Sequence, residues 1–113
     1  MLHKMDIAFF ECVLMDIFQL ASKPVTRTKK FIKFQGEVCS GLYLGEPLGR
    51  GKYSHDITIS REINTNSEEV FATMAHEYVH AFQMENDYPV DHLEDFDLWD
   101  ACFIKWFGVS LKD

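Results

Sequence analysis

The chain has 113 residues, 47% of them hydrophobic and 14% aromatic, and a net charge of −7. That length suits one ordinary domain, and ten Phe, four Tyr and two Trp exclude a disordered tail, which has no way to bury them. The acidity excludes a general binder of phosphate backbones, so nucleic acid is not the expected partner.

In chain order, Met5 to Ala21 follows a helical period through Ile7, Phe10, Leu14, Ile17 and Phe18, and Lys23-Pro24 ends the run. Asp6, Glu11 and Asp16 interrupt it, which fits neither a secretory leader nor a membrane span. The expectation is a cytoplasmic protein with an amphipathic first helix and no membrane partner. Between Lys23 and Lys33 stand five basic residues (Lys23, Arg27, Lys29, Lys30 and Lys33) and no acid. They read as a solvated charged face, with local contact to a polyanion as the alternative. Phe31, Ile32 and Phe34 predict a strand, Gly36 a turn and Val38 to Leu44 a second strand. Gly45, Pro47, Gly49 and Gly51 predict a loop. Tyr53, His55, Ile57 and Ile59 alternate with Ser54, Asp56, Thr58 and Ser60, which predicts a third strand with one wet face.

The clearest helix comes next. Asn66 or Ser67 caps it, Glu68 and Glu69 sit in its first turn, and it runs to about Glu85. Phe71, Met74, Tyr78, Val79 and Phe82 form its buried arc. Asn86, Asp87 and Pro89 break the chain. A last helix covers Asp95 to Phe107, with Phe96, Trp99, Phe103 and Phe107 on one face and Gly108 as its stop. From Glu85 to Asp100 there are seven acids and no Lys or Arg. Cys12, Cys39 and Cys102 are an odd set without a C-x-x-C pair, which argues against a disulfide framework and a thiolate zinc site; they read as buried free thiols. The expected fold is α/β in the α+β sense, one domain over residues 1–113: a helix, a small mostly antiparallel sheet of about three strands, the central helix packed on it, and a C-terminal helix.

On the central helix stand His76-Glu77-Tyr78-Val79-His80, an H-E-x-x-H pattern. Four residues advance a helix by about 400°, so both imidazoles project from one face, one turn apart, close enough to share a metal ion. Glu77 lies about 100° round from His76, where its carboxylate reaches a metal-bound water without ligating the metal. A catalytic zinc takes three protein ligands and keeps a fourth position open. The metzincin pattern is excluded, because Gln83 and Asn86 occupy its Gly and third-His positions. The candidates for the third ligand are His92, Glu94, Asp95 and, more distantly, His55 or His3. His92 comes first, because the Asp87–Pro89 break lets the chain turn back; Glu94 comes second. Asp91, Asp95 or Asp97 can orient a ligand imidazole.

Three runs carry a family likeness: Ser67 to Val70, Met74 to Gln83 and Asp91 to Trp99. Together they resemble the SprT-like zinc metallopeptidases, which show H-E-x-x-H-A and, after a short loop, a further His with an aromatic and often a Trp beyond it. His92, Phe96 and Trp99 stand in that order, and Leu93 replaces the family's usual Gly. The likeness spans roughly Tyr53 to Phe107. It implies a zincin-like fold, His76, His80 and His92 as zinc ligands, Glu77 as catalytic acid/base, and a peptide or protein substrate. The short length is also similar to small gluzincin-like peptidases, which implies a glutamate ligand and Glu94.

The expected function is therefore peptide-bond hydrolysis by a zinc-activated water with Glu77 as general base. Tyr53, Tyr88 or His55 is the expected oxyanion stabiliser, and an exposed edge of the third strand the expected seat for an extended peptide. The alternative is a non-catalytic zinc-binding interaction module on a peptidase-like fold. A DNA-associated protein using Lys23 to Lys33 is a further class.

Overall fold

The computed structural model describes residues 4–112, with side chains from residue 6. In chain order the elements are α1 (Lys4–Phe18), β1 (Val25–Lys29), β2 (Ile32–Phe34), β3 (Glu37–Cys39), β4 (Gly41–Gly49), β5 (Lys52–Ser60), α2 (Ser67–Glu85) and α3 (Glu94–Phe107). His3 lies outside the described residues. The result is an α+β fold of three helices and a small mixed sheet.

The sheet departs from the mostly antiparallel expectation. Its order is β1-β5-β4, with β1 parallel and β4 antiparallel to β5. β2 and β3 form a separate antiparallel hairpin. β1 escapes sequence reading because its alternation is muted: Val25, Arg27 and Lys29 are exposed while Thr26 and Thr28 are only half-buried. The Gly45–Gly51 loop is also corrected. β4 continues through Gly45 and Pro47 to Gly49, and Arg50 and Gly51 alone make the hairpin turn. Pro47 is tolerated because β4 is an edge strand. The turn has φ of 57° at Arg50 and 72° at Gly51, the left-handed pair that a two-residue hairpin favours. Finally, β5 is central and paired on both sides, so it has no free edge to receive a peptide; that edge belongs to β4.

α2 and α3 keep their expected bounds to within a residue, whereas α1 ends at Phe18, short of the expected Ala21, with Gln19 in the left-handed region at φ 53°. Asn66 caps α2, its side chain accepting from the Glu69 N–H at 2.9 Å. Gly108, at φ 68°, stops α3. Phe71, Met74, Tyr78 and Val79 are buried on α2, with Phe82 half-buried. They pack with Leu14 and Phe18 of α1, Ile57 and Ile59 of β5, and Phe96 and Phe103 of α3. Phe18 is the hub, its ring 4.4 Å from Trp99 and 5.8 Å from Phe103. Burying each such side chain contributes about 1.5–3 kcal/mol. With its back locked in this core, α2 turns His76 and His80 toward the loop before α3. Two expectations are corrected at the margins. Phe107 stays exposed at the end of α3. The thiols are free but not buried: Cys12 is exposed, and Cys39 and Cys102 are partly so. Cys12 lies about 200° round α1 from the buried Leu14, on the outward face.

No helix among the described residues is long and apolar enough to cross a membrane.

Candidate metal centre

One turn of α2 places His76 above His80, and the loop after Pro89 brings His92 against both. His92 Nε2 stands 2.9 Å from His76 Nε2 and 3.2 Å from His80 Nε2. His76 is half-buried, His80 buried and His92 exposed, so the trio reaches from the interior to the surface. Three histidines thus stand close enough to hold a metal ion, their ligand atoms all within 4.8 Å of one another. Among the described residues no other group of three His, Cys, Asp or Glu side chains does so.

The hydrogen bonds behind the rings decide which nitrogens face inward. His76 Nδ1–H donates to the Leu111 carbonyl at 2.7 Å. His80 Nδ1–H donates to Gln83 Oε1 at 2.8 Å, and Gln83 in turn donates to the Asp95 carboxylate at 2.7 Å and the Asp91 carbonyl at 3.0 Å. Both rings therefore carry their proton on Nδ1 and turn a lone pair on Nε2 toward His92. Bonds of this kind fix the tautomer of metal-ligating histidines. Asp95 accordingly supports His80 through Gln83, whereas Asp97 pairs with Lys112.

The donor set suits a metal ion. Zinc–nitrogen bonds of 2.0–2.1 Å put the nitrogens of neighbouring ligands about 3.3 Å apart, close to the two short spacings here. Neutral imidazoles suit zinc, and copper or nickel as well. Burial pushes the His80 imidazole down to about 4; its bond to Gln83 opposes this, and His76 and His92 add to it. His80 is therefore neutral at pH 7 and needs to shed no proton to become a ligand. Phe96 floors the cluster, its ring 4.8 Å from His76, 5.8 Å from His80 and 4.9 Å from His92. This apolar backing excludes water from one side of the three rings.

Glu77 is 5% exposed. Its carboxylate lies beside the start of β4, so close that a Cβ on Gly41 would stand 2.8 Å from Oε2. The strand can pass there only because Gly41 has no side chain. Of the other proposed ligands, Glu94 opens α3 as an exposed residue, Asp95 is engaged with Gln83, and His55 lies elsewhere.

His55 belongs to a second, closed cluster. Its Nδ1 is 2.7 Å from the Tyr43 hydroxyl and its Nε2 is 2.7 Å from Glu85 Oε2. The Glu85 carboxylate also accepts from the Ala21 and Ser22 backbone N–H groups at 2.6 and 3.1 Å. Tyr53 stacks on His55, and Tyr88 sits against Phe82. The tyrosine that does stand beside the trio is Tyr43, 6.2 Å from His80 between ring centres. Burial, then the Glu85 and Asp56 carboxylates, push its phenol up, so it stays protonated. Sequence reading missed Tyr43; the available signal was Gly45, where a Cβ would strike the Tyr43 hydroxyl.

No protein-family model, curated protein or solved structure matches the chain.

Proposed function

We propose that the chain is a zinc metallopeptidase in which His76, His80 and His92 hold the ion and Glu77 is the general base. What supports this most is the convergence of three imidazole Nε2 atoms, two of them with their Nδ1 protons tied back, beside a buried carboxylate one residue from the first ligand. A zinc ion held there would supply an acidified water and an electrophilic centre for a carbonyl. Glu77 takes the proton from the attacking water and delivers it to the leaving amine. Gly41 leaves room for the carboxylate beside β4, and Gln83 and Leu111 keep the two helix imidazoles aimed. The outer edge of β4, unpaired in the sheet, is suited to an extended peptide running past Glu77. The likeness to SprT-like peptidases assigns the same four residues the same roles.

The test is Glu77→Gln. It should keep zinc at wild-type affinity and lower cleavage of an unfolded protein substrate by about 100-fold or more. Loss of zinc as complete as in His76→Ala would make Glu77 a ligand. Wild-type protein that binds zinc and cleaves nothing would instead be the non-catalytic zinc module.

A further inference from the structure

The basic and the acidic block of the sequence lie toward opposite ends of α2, and each surrounds exposed apolar side chains. The β2–β3 hairpin stands outside the main sheet. The segment leading into α2 ties down both its ends: the Glu62 N–H donates to the Lys30 carbonyl and Asn64 Nδ2 to the Ser40 carbonyl, each at 2.9 Å. Ile32 is the hairpin's buried anchor. Phe31 and Lys33 alternate with it, and Val38 pairs across from Lys33, so these three share the outward face. Phe31 is 54% and Val38 64% exposed. Lys29 and Lys30 lead into that face, and none of the three lysines has an ion-pair partner among the described residues. Glu37, the hairpin's own acid, pairs with Phe34 on the other face. Arg61 and Glu62, beside Lys29 and Lys30, carry one charge of each sign.

Past the other end of α2, the loop and the first turn of α3 enclose an open groove of about 620 Å³. Tyr88, Leu93 and Leu98 supply its apolar wall, Asp91, Glu94 and Asp97 its charge, and no Lys or Arg lines it. Asp97 pairs with Lys112 at 2.7 Å. Asp91 and Glu94 have no cation partner among the described residues. Leu93 and Leu98 are each 68% exposed. Apolar side chains this open, rimmed by charge, mark an interaction surface. About 150 Å³ holds a benzene-sized group, so the groove has room for Phe31 and Val38 together. Sign and place then name the occupant. The groove calls for an apolar element flanked by cations, and the hairpin is one. α2 is 19 residues long, about 28 Å, so a chain cannot fold its own hairpin into its own groove. The contact joins two copies.

We propose that the β2–β3 hairpin of one copy seats in the acidic groove of the next, a head-to-tail contact that no two-fold axis closes. It does not rest on the metallopeptidase reading. Asp91 and Leu93 flank His92, so the incoming hairpin sits beside the exposed imidazole of the trio. Analytical ultracentrifugation of the full chain at low salt tests it, with a chelator present so that no metal bridges copies. Species larger than a dimer should appear as concentration rises, and high salt should weaken the association by about 10-fold or more. Phe31→Ser with Lys33→Ser on the hairpin, and Glu94→Ser with Leu98→Ser on the groove, change only exposed side chains. Each double variant alone should stay monomeric. Mixed, they still own one intact groove and one intact hairpin, so they should form a one-to-one pair and grow no further. Lys30→Glu with Lys33→Glu, which keeps the apolar contacts, makes the same test should Phe31→Ser loosen the hairpin. A wild type that is monomeric at every concentration, variants that associate like it, or a mixture that fails to pair would each overturn the contact. A monomeric wild type that binds anionic vesicles or an oligonucleotide through the hairpin would overturn it likewise and name that partner instead.

Discussion

Two histidine clusters lie along the same helix and differ in kind. At the C-terminal end of α2, His55 sits between the Tyr43 hydroxyl and the Glu85 carboxylate, each ring nitrogen with a complementary partner. One turn and more away, His76, His80 and His92 direct nitrogens at one another, with no carboxylate in the group. The first cluster is electrostatically closed: it fastens β4, β5 and the chain after α1 to the end of α2. In the second, ring nitrogens face one another, an arrangement that a shared proton or a cation would hold together. Burial alone therefore does not mark a functional histidine. What separates the two is the kind of partner: a hydroxyl and a carboxylate face the His55 nitrogens, whereas three imidazole nitrogens face one another, a donor set that can hold a metal ion.

The largest expected effect is on the open cluster. His80→Ala or His92→Ala should weaken zinc binding by more than about 100-fold, beyond what loss of a supporting residue costs. Glu94→Ala should change it little. Chelator competition reads both, and the reverse ranking would transfer the role to the glutamate. Next comes the closed cluster. His55→Ala leaves the Glu85 carboxylate buried without its imidazole and should cost about 3 kcal/mol of stability by urea unfolding. The folded fraction should bind zinc as tightly as wild type. Parallel loss of zinc would erase the distinction between the clusters.

Acid should separate them further. In the metal-free protein the His80 pKa is lowered to about 4, below the value of about 6.5 expected unfolded. Its contribution is thus fully present above about pH 6.5 and lost as pH falls toward 4, on the order of 3 kcal/mol in all. Urea midpoints across that window should fall more steeply for wild type than for His80→Ala, and equal slopes would show an ordinary, solvated histidine. The smallest effect belongs to the helix's core face. The Tyr78 hydroxyl is buried without a hydrogen-bond partner among the described residues. Tyr78→Phe should lie within about 1 kcal/mol of wild type, on the stabilising side, with zinc affinity unchanged.

What was readable from sequence followed the range of the interactions. The bounds of α2 and the pairing of His76 with His80 depend on neighbours within a turn, and both stood out. The third histidine depends on a chain reversal, so spacing left it open between His92 and Glu94. The His55–Glu85 pair joins residues 30 positions apart, and nothing local announces it, which is why His55 looked like a ligand or an oxyanion donor. Pro47 and the glycines from Gly45 to Gly51 imitated a loop, because an edge strand tolerates residues that a central strand rejects. The family likeness drew on the motif run and on Asp91 to Trp99, and favoured the same His92 that the chain break had already put first.

The account stands most directly on the ligand set itself. X-ray absorption at the zinc edge, on protein loaded with one equivalent of zinc and freed of excess, should show three imidazole nitrogens at about 2.0–2.1 Å and a lighter fourth ligand. A chain that takes up no zinc, or whose zinc lacks imidazole scattering, would contradict it.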